Sequence, residues 1–260
     1  VRAGVPVRVA LKFDTGMSRM GFSVEEAAGV ASILDGLDYV RATLVCSHLA
    51  TSDDPDQADY ALEQGERFAR AVRTLHGQGL DVQASLANSG AIFGHPALHH
   101  DLQRPGIALY GSNPFHGTAW GDKGQGLAPC MEVTTRLVQV RTIQAGQAIS
   151  YGRTFRAERD MRIGIVALGY ADNYSRGLSN TGQLLVHGRR APILGRVCMQ
   201  LTAVDLSCVP EASAGDEVFV LGGAGPERIT AEDLAAWWGT ITYEVFCLLG
   251  QNPRVYDCLG

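Results

Sequence analysis

From residue 7 the chain alternates apolar and polar positions, with Val7, Val9, Leu11 and Phe13 on one parity, which predicts a half-buried strand. The rhythm then lengthens. Ser23, with Glu26 three residues on, predicts a capped helix start, and the helix is expected to run to about Leu34. A second strand is predicted over residues 40–46. A polar loop over 51–55 follows, then a helix in which Ala61, Gly65, Phe68, Val72 and Leu75 recur at spacings of three and four. A third strand is predicted over 82–86 and a fourth around Leu102. Each strand runs into polar or glycine residues: Asp14-Thr15-Gly16, Ser47-His48, Asn88-Ser89-Gly90 and Arg104-Pro105-Gly106. Parallel α/β proteins build their sites beyond such strand ends. A complete (β/α)8 barrel takes about 250 residues, so four units predict half of one.

Past residue 118 the pattern turns to strands with few helices, predicted over 131–143, 162–168, 183–186, 192–199 and 217–221. One short helix, capped by Thr230 and running through Leu234 to Trp238, interrupts them. The expected organisation is therefore a partial barrel over 1–118 and a mostly antiparallel β-domain over 119–260. Their linker is expected in the glycine-rich stretch 116–127.

Composition narrows the class. A net charge of −5 with 19% charged residues argues against a nucleic-acid or membrane surface. Only two of the 22 basic residues are lysines, Lys12 and Lys123. Six cysteines, Cys46, Cys130, Cys198, Cys208, Cys247 and Cys258, form no Cys-x-x-Cys pair and no zinc spacing, as expected of reduced cysteines in the cytoplasm. No apolar run approaches the roughly 20 residues that span a bilayer. The chain opens at Val1, and the expectation is that the natural protein starts further upstream.

Arg19, His48, Ser89 and Arg104 all lie at or just past strand ends, which makes one shared pocket the natural expectation. A metal-dependent hydrolase using His48, His99, His100 and Asp53 is a poor alternative. His99 and His100 are adjacent and diverge, and no His-Glu-x-x-His or His-x-His motif appears, so no metal site is expected.

Eight motifs in order, LKFDTGMSRMG (11–21), SHLATSD (47–53), ANSGA (87–91), RPGIALYG (104–111), SYGRTF (150–155), GYAD (169–172), GRVCM (195–199) and ITYE (241–244), closely resemble those of the alanine racemases. The resemblance runs from about Lys12 to about Tyr256. It implies a pyridoxal 5'-phosphate (PLP) enzyme that interconverts L- and D-alanine by a two-base mechanism and supplies D-alanine for peptidoglycan. It implies a cytoplasmic homodimer with shared active sites and a small amino-acid substrate.

By resemblance, Arg19 meets the cofactor phenolate and the substrate carboxylate. Lys12 matches a lysine that can be carbamylated. Ser89, the backbone at Gly106 and Ile107, and Tyr243 match phosphate-binding positions, and Arg104 matches the arginine at the pyridine nitrogen. His48 links Arg104 towards Tyr151, the catalytic tyrosine, which with Met199 and Tyr170 reaches the opposite subunit's barrel. Without the resemblance, the sequence favours reading Tyr151 as a β-edge aromatic. Asn173 and Gln200 depart from the family pattern, and neither lysine matches the Schiff-base lysine. The expectation is an N-terminally truncated alanine racemase, inactive alone. The alternatives are a serine or broad-specificity racemase, or a non-catalytic homologue or fragment.

Overall fold

A computed structural model describes residues 5–256, so Cys258 lies outside the described residues. The chain divides into two compact units, Val1–Ala128 and Pro129–Gly260.

The first unit is built on β1 (Val7–Lys12), β2 (Val40–Cys46) and β3 (Gln83–Ser85), parallel and in that spatial order. Helix α1 (Ala27–Asp35) follows β1, α2 (Ala58–Gly77) follows β2, and α3 (Ser89–Gly94) follows β3. The capped start at Ser23 forms: its N–H donates to Glu26 Oε2 at 2.7 Å, and a single 3-10 turn leads into α1. Along α2 the expected stripe faces inward, with Ala61, Phe68 and Leu75 fully buried. Gly65 lies where helix and core meet most closely, since a Cβ there would come within 2.4 Å of Leu98 Cδ2. Phe13, Val45 and Leu86 complete this core.

Two expectations need correction here. The fourth strand reduces to one bridge between Ser85 and Leu102. The Asp101 carboxylate accepts Ala84 N–H at 2.7 Å, taking the donor that a strand carbonyl would have used. The stretch 119–128, expected in the second domain, belongs to the first unit. There Trp120 packs edge-on against His95 and Phe115, and Asn113 Nδ2 donates to Gly121 O at 2.7 Å.

The second unit contains β4 (Val133–Ile143), β5 (Ala148–Ile149), β6 (Phe155–Arg156), β7 (Met161–Val166), β8 (Gln183–Val186), β9 (Arg189–Pro192), β10 (Thr202–Asp205) and β11 (Glu217–Leu221). Six of these form one antiparallel sheet in the order β10-β7-β4-β11-β8-β9. An Ile193–Val204 bridge joins its two ends, so the sheet is nearly closed around Leu137, Ile163, Val186, Val204 and Val218. Closure leaves little exposed edge to aggregate.

The strand expected over 192–199 does not continue past this bridge. Gly195 turns at φ +76°, bringing its backbone against Ile149 and Ser150, where a Cβ would sit 2.8 Å from Ile149 O. Thr230 caps α4 (Ala231–Trp238), its Oγ1 accepting Asp233 N–H at 3.0 Å. A further helix, α5 (Thr242–Leu249), was not legible because its start, Thr-Tyr-Glu-Val, carries strand-favouring residues. Burial of Val245, Phe246 and Leu249 at spacings of one and three decides for helix.

Candidate active site

In the first unit the loop after β1 folds around Asp14. Its Oδ1 accepts the amides of Gly16, Met17 and Ser18 at 2.8, 3.0 and 3.0 Å, and Oδ2 accepts that of Arg19 at 2.9 Å. Stabilisation of the anion by these amides, that of Gly16 foremost, lowers the Asp14 pKa below its ordinary value. The loop then returns beside β1, with Phe22 N–H donating to Lys12 O at 2.9 Å. Gly21 makes that approach possible: it sits at φ +127°, and a Cβ would press within 2.8 Å of Lys12 O. Asp14 was missed in the sequence, although an Asp-x-Gly after a strand is a signal for such a turn.

Arg104 ties the strand ends together. Nη1 donates to Ser85 O at 2.8 Å and Ser85 Oγ at 2.5 Å, and Nη2 to Ser47 O at 2.5 Å. Its Nε carries no partner among the described residues. His48 is half-buried, and burial, followed by the charges of Arg104, Arg19 and Lys12, lowers its pKa below 6.5. The imidazole is therefore neutral at neutral pH, beside three cations.

Ser89 opens α3 behind an Asn88 cap, Asn88 Oδ1 accepting Ala91 N–H at 3.1 Å. Ser89 is buried, and its Oγ accepts the amides of Gly106 at 2.8 Å and Ala108 at 3.3 Å. The Ile107 amide between them has no partner among the described residues. The Ser89 O–H, on an oxygen that already accepts two amides, and the Ile107 amide beside it form a donor set suited to an anion. Lys12, Arg19, His48 and Arg104 thus share one neighbourhood at the strand ends, and Ser89, Gly106 and Ile107 form a cradle along the same ends.

The second unit gathers its own expected residues. Tyr151 stands at the tip of the β5–β6 hairpin and is 69% exposed. It is flanked by left-handed residues, Ser150 at φ 65°, Gly152 at φ 71° and Arg153 at φ 50°. Two of those three are not glycine, and each such residue costs on the order of 1 kcal/mol. Ser150 Oγ donates to Arg196 O at 2.6 Å, fixing the turn to the 195–199 loop. The Tyr170 amide donates to Cys198 O at 3.1 Å and the Ala171 amide to Met199 O at 2.8 Å. Tyr151, Tyr170 and Met199 therefore project, all exposed, from segments that are bonded to one another. Tyr243 lies in the first turn of α5, and Asn252 Nδ2, just past that helix, donates to Asp172 O at 2.9 Å.

No group of three or more His, Cys, Asp or Glu among the described residues could hold a metal. His99 Nε2 faces Ile92 O at 3.0 Å, while His100 packs edge-on against Phe68. Among the described residues no helix is long and apolar enough to cross a membrane.

The sequence matches the description "Alanine racemase, N-terminal domain" over residues 1–114 and "Alanine racemase, C-terminal domain" over residues 130–256. A relative named alanine racemase from Nitratidesulfovibrio vulgaris (strain DSM 19637 / Miyazaki F) is 54% identical over 253 residues, covering 97% of this chain and 68% of the relative. The chain belongs to the alanine racemase family, a family of isomerases.

Among solved structures, the alanine racemase from D-cycloserine-producing Streptomyces lavendulae superposes with a TM-score of 0.89 at 35% identity, covering 99% of this chain and 68% of that one. An alanine racemase from Bartonella henselae, described with covalently bound pyridoxal phosphate, is similar with a TM-score of 0.80 at 29% identity, covering 96% of this chain and 66% of that one. The family assignment agrees with the folds of both units: a parallel α/β half-barrel and a nearly closed antiparallel sheet.

Proposed function

We propose that this chain forms the cofactor cradle and one of the two bases of a PLP-dependent alanine racemase that works as a cytoplasmic homodimer. The observation that carries the reading is the Ser89 cradle, in which a hydroxyl and the amides of Gly106 and Ala108 converge beside an unpartnered Ile107 amide. Bound PLP would supply an electron sink for the carbanion left when the α-proton departs.

In this reading the Ser89 hydroxyl, its Oγ already accepting the Gly106 amide, and the Ile107 amide hold the phosphate, and the resemblance adds Tyr243 as a phosphate residue. Arg104, fixed by the Ser47 and Ser85 carbonyls, would meet the pyridine nitrogen of the cofactor. A guanidinium only donates, so it leaves that nitrogen unprotonated and favours proton return over transamination. Arg19, on the Asp14-bound loop, holds the substrate carboxylate, and Lys12 beneath that loop is the position open to carbamylation. Neutral His48 relays between Arg104 and the Tyr151 phenol of a second copy, whose Met199 and Tyr170 frame the entrance. Tyr151 Oη takes or returns the α-proton on one face. The other face needs a lysine that neither Lys12 nor Lys123 matches, so the chain alone is inactive.

Ser89→Ala is expected to weaken PLP binding to the chain about tenfold, the worth of one hydrogen bond to a charged group. Fluorescence titration with PLP, and displacement by inorganic phosphate, checks this. Equal affinities for Ser89→Ala and the parent, or no displacement by phosphate, would contradict the cradle.

A further inference from the structure

Helix α2 does more than pack against the sheet. Three side chains on one of its faces, Tyr60, Gln64 and Arg67, reach into the strand-end loops. Tyr60 OH donates to Gly16 O at 2.8 Å and Arg67 Nη1 to Thr15 O at 3.1 Å, both on the loop that carries Arg19. Gln64 differs from these two in reaching both loops. Its Nε2 donates to Thr15 Oγ1 at 3.4 Å and to His48 O at 3.2 Å, and its Oε1 accepts Ala50 N–H at 2.8 Å.

Thr15 Oγ1 in turn bonds Ser47 Oγ at 2.8 Å, and Ser47 O is the carbonyl that accepts Arg104 Nη2. Gln64, Thr15 and Ser47 are all essentially fully buried. One amide thus spans the separation between two loops whose side chains share the cationic neighbourhood. A glutamine brings two donors and an acceptor to this point, and it uses both functions here. An apolar side chain of the same volume would fill the space and fix neither loop.

We propose that Gln64 is a positioning residue for the site, setting the separation between the loop that carries Arg19 and the strand end that carries His48. Its bearing on catalysis rests on the racemase reading above; the positioning itself does not. Burial and the charges of Lys12 at the end of β1, Arg19 on its loop and Arg104 beyond Leu102 all act on His48. His48 therefore reports on whether that separation is kept.

The test is NMR titration of the His48 ring in the cofactor-free chain, with the signal assigned by its loss in His48→Asn. In Gln64→Met, which keeps the volume, the His48 midpoint is expected to rise by about half a pH unit, a threefold gain in proton affinity, as the ring relaxes from the cations. Gln64→Asn, one methylene too short to span both loops, should shift it likewise. Tyr60→Phe, which loses only the Gly16 bond, should leave it in place while lowering the unfolding temperature. An unchanged or lowered midpoint in a folded Gln64 variant would overturn the proposal, and so would failure of both variants to fold, since either marks a residue that serves only the core. Failure of the parent chain to bind PLP would defeat the racemase reading and leave this result standing.

Discussion

Tyr151→Phe is expected to lower alanine racemisation about a thousandfold in a chimera that joins this chain to the part of the Nitratidesulfovibrio vulgaris relative that it does not cover. Racemisation removes the α-proton from one face and returns one to the other, and a single side chain fixed on one side cannot serve both. Loss of a positioned acid–base group typically costs two to four powers of ten in rate. Phenylalanine keeps the ring and removes only the Oη. The conformation supports the assignment: the chain holds Tyr151 exposed on a turn with left-handed residues on both sides, which an ordinary edge aromatic would not require. Solvent deuterium exchange should survive from D-alanine, through the lysine face, and vanish from L-alanine. Retained racemisation would return Tyr151 to the reading of a β-edge aromatic.

Arg104→Leu is expected to cost roughly 3 kcal/mol of stability, because it strands the Ser47 carbonyl and the Ser85 hydroxyl, and leaves the Ser85 carbonyl only the Ser47 N–H at 3.3 Å, in residues that water hardly reaches. That corresponds to a change of about 150-fold in the folding equilibrium. Urea unfolding of the chain without cofactor measures it. A loss under about 1 kcal/mol would mean that water reaches these carbonyls, and that Arg104 is not fixed by them.

The two-unit plan and most strands were legible because burial imposes a period, and period is what a sequence displays. Helix α2 shows this well, since a 20-residue amphipathic run leaves little ambiguity. The fourth strand was misjudged because a side chain, Asp101, takes the Ala84 N–H of the ladder, an exchange that no periodicity reveals. Helix α5 was hidden by a β-favouring start that tertiary packing overrides. At the site, the residues proposed to face a ligand were named from motif resemblance. Those that hold them in place were not: Asp14 gathers four amides and Gln64 joins two loops separated by more than thirty residues, and neither fact is periodic or local. The left-handed Ser150 was equally invisible, since nothing in Ser-Tyr-Gly dictates a positive φ at serine.

The central claim is that this chain carries a complete alanine racemase site apart from the lysine-bearing segment. The most direct test is the rate at which L-alanine becomes D-alanine, followed by polarimetry with PLP present, for the 260-residue chain and for the chimera described above. The account predicts no racemisation above the rate of free PLP for the chain and restored racemisation in both directions for the chimera. A chimera that folds and binds PLP but does not racemise alanine would contradict it, as would racemisation by the chain alone.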